Sequence, residues 1–358
     1  MVHLLDRPQT ASDLVFVHAV GSAPATSGSQ WHLDHRCGAQ LLGLPCPEPR
    51  NWVVDWLKAL EFASGIRKVR AGDCRGYDQV PCYAPEDGVE LDPASLALGR
   101  PSLVEEAIAT RDQLVGDAIP ERLQVSIPNA LDLAYFASGS VEAAPQWLPA
   151  LQTMLAGEIA EIDRRWRDQV LLQLESPAIL MSYHQTPREA WAELTEQLVA
   201  QVASVLAVAP RAAWVLHLCY GDLEHQPVFT PTDLDAPVMF LRALAQRLTA
   251  LGIEMPIAHI PVAYGDAAPP VDPAYYEVLR QLRESGIRVV AGVVAEHHPE
   301  ASAMAASLIA EVLGDLLAAV AAACGLGRRT PEDAAASHRL SARIAELLNA
   351  RVRRPAAA

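Results

Sequence analysis

From about residue 120 onward, short apolar and β-branched runs alternate with stretches whose apolar residues recur at helical spacing. This pattern commits a chain to repeated βα units around a parallel sheet. Runs at 122–127, 170–174, 213–219, 256–261, 288–294 and 317–323 read as strands. Thr232 is placed to cap the helix leading into 238–251 and Gly252 to stop it, while Thr186 with Pro187 opens a helix over 188–206. A run at 14–20 supplies a seventh strand, and an eighth is expected between residues 67 and 83. Eight such strands predict an α/β fold, a single (β/α)8 TIM barrel over 1–350. The loop-rich region 22–101 reads as an N-terminal elaboration of the early βα units that can act as a lid, and 351–358 as a disordered basic tail.

Composition fits a large core: 51% of the 358 residues are hydrophobic and 20% charged, which excludes wholesale disorder. Lys and Arg total 28 against 43 for Asp and Glu, and the net charge of -15 argues against broad capture of nucleic acid or anionic membrane. The most apolar stretch, 301–325, is broken by Glu311 and Asp315, and no N-terminal segment reads as a signal peptide. The expectation is therefore a cytoplasmic chain with neither membrane nor nucleic-acid partner. Its outer helices show no heptad seam that would set an oligomeric state. Six cysteines are too sparse for a disulfide scaffold, so the useful question is which of them are ligands.

Parallel barrels carry their active sites at the C-terminal ends of the strands. The fifth strand ends in His217-Leu-Cys219, and alternation puts both side chains on one face. The eighth ends in Cys324, followed by glycines that leave the thiol unshielded. One such residue alone is ordinarily a small core cysteine or a satisfied histidine. Together, His217, Cys219 and Cys324 form a donor set suited to zinc. Asp222 either orients a ligand, binds substrate or caps its loop, and Asp132 reads as a helix cap. Arg328 and Arg329 stand where they can hold an anionic substrate.

These segments resemble the catalytic barrel of the cobalamin-independent methionine synthase family, which belongs with uroporphyrinogen decarboxylase to one structural superfamily. That family holds zinc with an H-x-C pair on one strand and the Cys of a C-G-L-x-x-R segment on the last. Three further segments agree in order: Val20-Gly21-Ser22 resembles a Gly-Ser turn that receives substrate, Gln173 to Ala178 resembles Q-I-D-E-P-A, and Gly292 to Pro299 resembles G-V-Y-D-I-H-S-P. The resemblance implies Zn as cofactor, Val20, Gly21, Ser22, Glu175 and Ser176 as substrate-binding residues, and His297 as proton donor, with Glu296 and His298 as its alternatives. Strand alternation prevents His297 and His298 from both pointing inward if the strand persists that far.

Two departures stand out. The family's fourth ligand, a Glu after the sixth strand, is missing; either His259 replaces it or water or substrate takes the position. The acid pair is reduced to Glu175 followed by Ser176. As a single barrel, the chain resembles the stand-alone relatives, which include epoxyalkane:coenzyme M transferases. The implied activity is transfer of a methyl or other alkyl group to a zinc-bound small-molecule thiol. Methyl-folate, a methyl-corrinoid protein, an epoxide and a sulfonium are all compatible donors. The alternatives are epoxide opening by a thiol, carbon-sulfur lyase or decarboxylase chemistry on the same fold, and a non-catalytic zinc- or thiol-binding module.

Overall fold

The computed structural model describes residues 15–20, 28–49, 52–76, 79–115 and 122–352. Two of the expected substrate-binding residues, Gly21 and Ser22, and residues 353–358 of the expected tail lie outside them.

Ten strands are present among the described residues: β1 Phe16–Val17, β2 Leu44–Pro45, β3 Ile66–Arg70, β4 Cys82–Pro85, β5 Leu123–Pro128, β6 Val170–Ser176, β7 Trp214–Leu218, β8 Ile257–Pro261, β9 Val289–Val294 and β10 Leu317–Ala322. Eight of them make one parallel sheet in the order β1-β10-β9-β8-β7-β6-β5-β2. The ends of this order meet, because Val17 bridges Leu41 just before β2: the Val17 amide donates to Gln40 at 3.0 Å and the Leu42 amide donates to Val17 at 2.9 Å. The fold is thus a (β/α)8 barrel, as the βα alternation predicts. The second strand differs from expectation. It is the two-residue β2, while residues 66–85 form a separate antiparallel hairpin of β3 and β4. Leu44–Pro45 is too short to register as an apolar run, and the hairpin's first strand alternates outside the barrel with four of five residues exposed.

Helices cover the outside: α1 Gly28–His35, α2 Trp52–Ala59, α3 Arg100–Val115, α4 Ala130–Ser138, α5 Leu148–Trp166, α6 Pro177–Gln185, α7 Trp191–Leu206, α8 Asp235–Leu251, α9 Pro273–Tyr276, α10 Arg280–Glu284, α11 Pro299–Leu313 and α12 Pro331–Val352. Gly252 ends α8 in the left-handed conformation at φ 67, as expected. Thr232 does not cap α8; its hydroxyl donates to Asp233, whose other oxygen accepts from the Asp235 amide. Thr186 does not cap α7, because a 3-10 turn over Arg188–Ala190 intervenes.

Most of the apolar mass lies between strands and helices, in a cluster that includes Leu172, Leu216, Phe240 and Leu244. A second cluster fills the barrel floor, with Leu171, Val215, Ile257 and Val290 among its residues. Alternation then dictates what stands above this floor. Two residues further along the same strands come Gln173, His217, His259 and Gly292, and two beyond those come Glu175 and Cys219. Polar and metal-binding residue types therefore rise from the apolar floor toward the C-terminal mouth. Among the described residues, no helix is long and apolar enough to cross a membrane.

Candidate metal centre

His217 and Cys219 arrive from β7 and the residue after it, and Cys324 from the turn after β10. One ligand atom from each lies within 4.8 Å of the other two. The two Sγ atoms are 3.5 Å apart, and Cys324 Sγ is 4.0 Å from His217 Nε2. Tetrahedral zinc with ordinary bond lengths separates neighbouring donor atoms by about 3.6–3.8 Å. The triangle is thus of the size zinc requires, and its donor chemistry suits that ion. The Gly221 amide donates to Cys219 Sγ at 3.2 Å, a contact that favours a thiolate. The neighbouring Cys324 thiol and burial push Cys219 well above the usual thiol range.

His259 stands in the same layer but behind His217. The two rings are 11° from parallel with centroids 4.5 Å apart, and their Nδ1 atoms meet edge to edge in a hydrogen bond. This leaves His217 Nε2 facing the sulfurs, with His259 on the far side of the ring. His259 is fully buried, and burial holds both rings in the neutral state: His217 falls to about 3 and His259 goes well below the ordinary value. The space for His259 comes from Gly292 on β9. A Cβ there would lie 2.7 Å from His259 Nε2 and 2.9 Å from both Ile260 O and Pro261 Cα.

A buried polar chain continues around the mouth. His18 Nε2 is 2.8 Å from Gln173 Oε1, Gln173 donates to Glu175 at 2.6 Å, and Gln124 donates to the Ala19 carbonyl at 2.7 Å. Burial holds His18 down at about 4. Glu175 faces a second acid, Glu48, which is ion-paired with the buried Arg100. Burial pushes Glu48 up to about 7 despite Arg100, and raises Glu175 as well.

Three of the four candidate ligands, His217, Cys219 and Cys324, line one cavity of about 440 Å³; the fourth, His259, does not. Val20, Glu175, Asp222 and Arg328 line it, as expected of substrate-binding residues. Ser176 does not; its hydroxyl is buried and donates to Asp132 at 2.6 Å. Asp132 does not cap its own helix. Asn129 caps α4, and Asp132 accepts from the Ala178 amide at 2.7 Å, in the first turn of α6 in the neighbouring βα unit. Burial pushes its carboxyl up to about 7.

The segment expected to supply a proton donor lies elsewhere. β9 ends at Val294, and the His298 amide then donates back to Ala295 at 2.9 Å, a turn that breaks the strand alternation. His297 is 55% exposed, its Nε2 3.6 Å from Asp333, and His298 Nε2 lies 2.9 Å from the Asp266 carbonyl. Glu296 is buried and accepts from Arg329 at 2.6 Å, an ion pair that ties the Cys324 turn to the end of β9. None of the three lines the cavity.

Three residues near the centre escape the sequence reading. Glu48 follows the two-residue β2, where no strand is visible in the sequence. His18 sits inside an apolar run. His225 lies beyond the H-x-C motif, three residues after Asp222, and that D-x-x-H spacing is the only sequence trace of their contact.

No protein-family model matches the chain, and no curated protein does. Solved structures resemble it. A B12-independent methionine synthase from Shewanella sp. W3-18-1 in complex with selenomethionine gives a TM-score of 0.55 at 12% sequence identity, covering 93% of this chain and 98% of that one. A putative vitamin-B12-independent methionine synthase from Listeria monocytogenes gives 0.51 at 16%, covering 93% and 98%. A methyltransferase from Methanosarcina mazei gives 0.50 at 12%, covering 96% and 99%. At such identities the likeness establishes a shared barrel fold over nearly the whole chain.

Proposed function

We propose that the chain is a zinc-dependent transferase that moves a methyl or other alkyl group onto a small-molecule thiol bound at the centre. The observation that carries this reading is the triangle of His217, Cys219 and Cys324 on the wall of a cavity large enough for a small substrate. His217 Nε2 and the two sulfurs would hold the ion, with His259 fixing the His217 ring from behind. When bound, zinc supplies the positive charge that deprotonates a thiol at neutral pH and keeps its sulfur nucleophilic. Three protein ligands leave one position of a tetrahedron for the substrate, the pattern of a catalytic rather than a structural site.

The chain's own residues then orient and enclose. Glu175 and Glu48 offer acidic groups on one side of the cavity, and Arg328 with Asp222 forms the opposite rim. Trp52, Val53, Leu57, Leu133 and Phe136 make an apolar outer wall that excludes water from the reacting sulfur. That wall also favours a second reading, in which the alkyl donor is a small apolar epoxide opened by the thiol. Product analysis separates the two: a thioether alone marks simple alkyl transfer, and a hydroxyalkyl thioether marks ring opening. The resemblance of the barrel to methionine synthases and a methyltransferase supports transferase chemistry as a class.

Zinc-edge X-ray absorption of the purified chain tests the reading. About one zinc per chain with two sulfur ligands is expected, rising to three sulfurs when a bound thiol is added. A chain purified without zinc that also fails to take it up, or a zinc sphere that no thiol enters, defeats the reading.

A further inference from the structure

Any centre that takes up a thiol as thiolate must dispose of a proton, and this one sits in a buried pocket. The side chains leading away from it form a line. Asp222 lines the main cavity and also a small enclosed space beside Cys219 and Cys324. Its Oδ1 is 3.1 Å from His225 Nδ1, and the other ring nitrogen, Nε2, is 3.5 Å from Oδ1 of Asp266. Side-chain exposure climbs along this line, from 6% at Asp222 through 17% at His225 to 71% at Asp266.

The backbone maintains the arrangement at a cost. Glu224 and His225 both adopt left-handed conformations, with φ 51 and φ 58, which non-glycine residues rarely take. Two facing loops hold them there: Leu223 bridges Gln226, Tyr264 bridges Ala267, and Gly265 approaches so closely that a Cβ would lie 3.1 Å from the His225 carbonyl. Charges facing the ring come from every side of this pocket. Asp222 and Asp266 flank it, Arg328 lies 3.8 Å from Asp222 Oδ2, and Arg329 is neutralised by Glu296. The hydrogen bond with Asp222 raises His225 above the ordinary histidine value.

We propose that Asp222, His225 and Asp266 form a proton relay carrying the thiol proton from the buried centre to solvent. It rests on the thiol-binding reading above. The S–H bond breaks with its electron pair left on sulfur, and Asp222 receives the proton. His225 takes it at Nδ1 and releases another from Nε2 to Asp266, which passes it to water. Nothing is oxidised or reduced, and the ring returns to its starting tautomer by exchange with solvent.

Stopped-flow mixing of the zinc-loaded chain with 2-mercaptoethanol, in weak buffer with a pH indicator, reads the relay directly. The wild type should release one proton per chain. His225→Gln should release the same amount about a hundred-fold more slowly, and millimolar imidazole should restore the rate. Asp266→Asn should slow it less, because water reaches that end of the line. Zinc analysis confirms that each variant keeps its metal, and His225→Asn repeats the test if the Gln variant does not. As a second readout, the NMR titration of His225 should fall to lower pH in Asp222→Asn. Unchanged release in both His225 variants, a rate that imidazole does not restore, or an unmoved titration overturns the relay. Absence of any proton release from the wild type overturns the thiol reading, and the relay with it.

Discussion

The inner and outer halves of the cavity are built by different means. The inner half comes from strand ends: His217, Cys219, Glu175 and Cys324 sit on a parallel sheet whose register fixes Glu175 beside His217 and His217 beside His259. The outer half comes from the elaboration and α4: Trp52 and Leu57 on α2, Cys74 and Val80 between the hairpin strands, Leu133 and Phe136 on α4. In the inner half, the hydrogen-bonded register of the sheet sets which side chains stand side by side. The outer half is held chiefly by apolar packing, which tolerates exchange of side chains of similar volume. On the proposed reading, reaction type belongs to the strands and the shape of the substrate to the inserted segments.

The contrast can be broken most forcefully at the sulfurs. Cys219→Ser and Cys324→Ser should each cost more than the roughly 10–100-fold in zinc affinity typical of supporting residues, while circular dichroism remains that of the wild type. If either variant still binds zinc stoichiometrically against a competing chelator, the inner half is not a metal centre. The outer half should give the opposite result. Leu57→Ala, at a position 1% exposed, should destabilise the chain by about 2–5 kcal/mol and leave zinc content untouched. Loss of zinc there would show that the two halves are not separable.

A smaller effect lies between them. His259→Ala removes the partner of His217 Nδ1 and should weaken zinc about 10–100-fold; an undiminished affinity would remove His259 from the support of the centre. The smallest test concerns Asp132, on the cavity wall. Its folded value of about 7 exceeds the ordinary carboxyl value of 3.8, so between those pH values the folded chain keeps a proton that the unfolded chain gives up. Stability must then fall as pH rises through this window and level off above about 7. Urea unfolding across pH 4–7 should show wild type losing ground relative to Asp132→Asn; parallel curves would mean that Asp132 ionises normally.

The inner half was largely legible because alternation is a rule of covalent geometry. Seven of the eight barrel strands follow from apolar runs, and the H-x-C face and Cys324 follow from where those runs end. The rule fails once the strand stops. His297 and His298 lie past Val294, in a turn, and period-two reasoning no longer says where they point. Alternation puts His259 in the layer of His217, yet the two rings meet each other, and no sequence pattern foretells such a contact. The outer half was opaque for a different reason. A two-residue strand and an exposed hairpin owe their positions to tertiary contacts, which leave no periodic trace in residues 44–85.

Only a hydrogen atom separates residue 292 from the imidazole behind the centre. On the proposed zinc reading, a change at a residue that donates no electron pair and meets no substrate would release the metal. Adding a single methyl group at Gly292 forces His259 to move, and His217 loses its anchor. On that reading, this silent position offers a route to metal-free chemistry that leaves the H-x-C motif intact, so the motif by itself is an insufficient sign that zinc is bound.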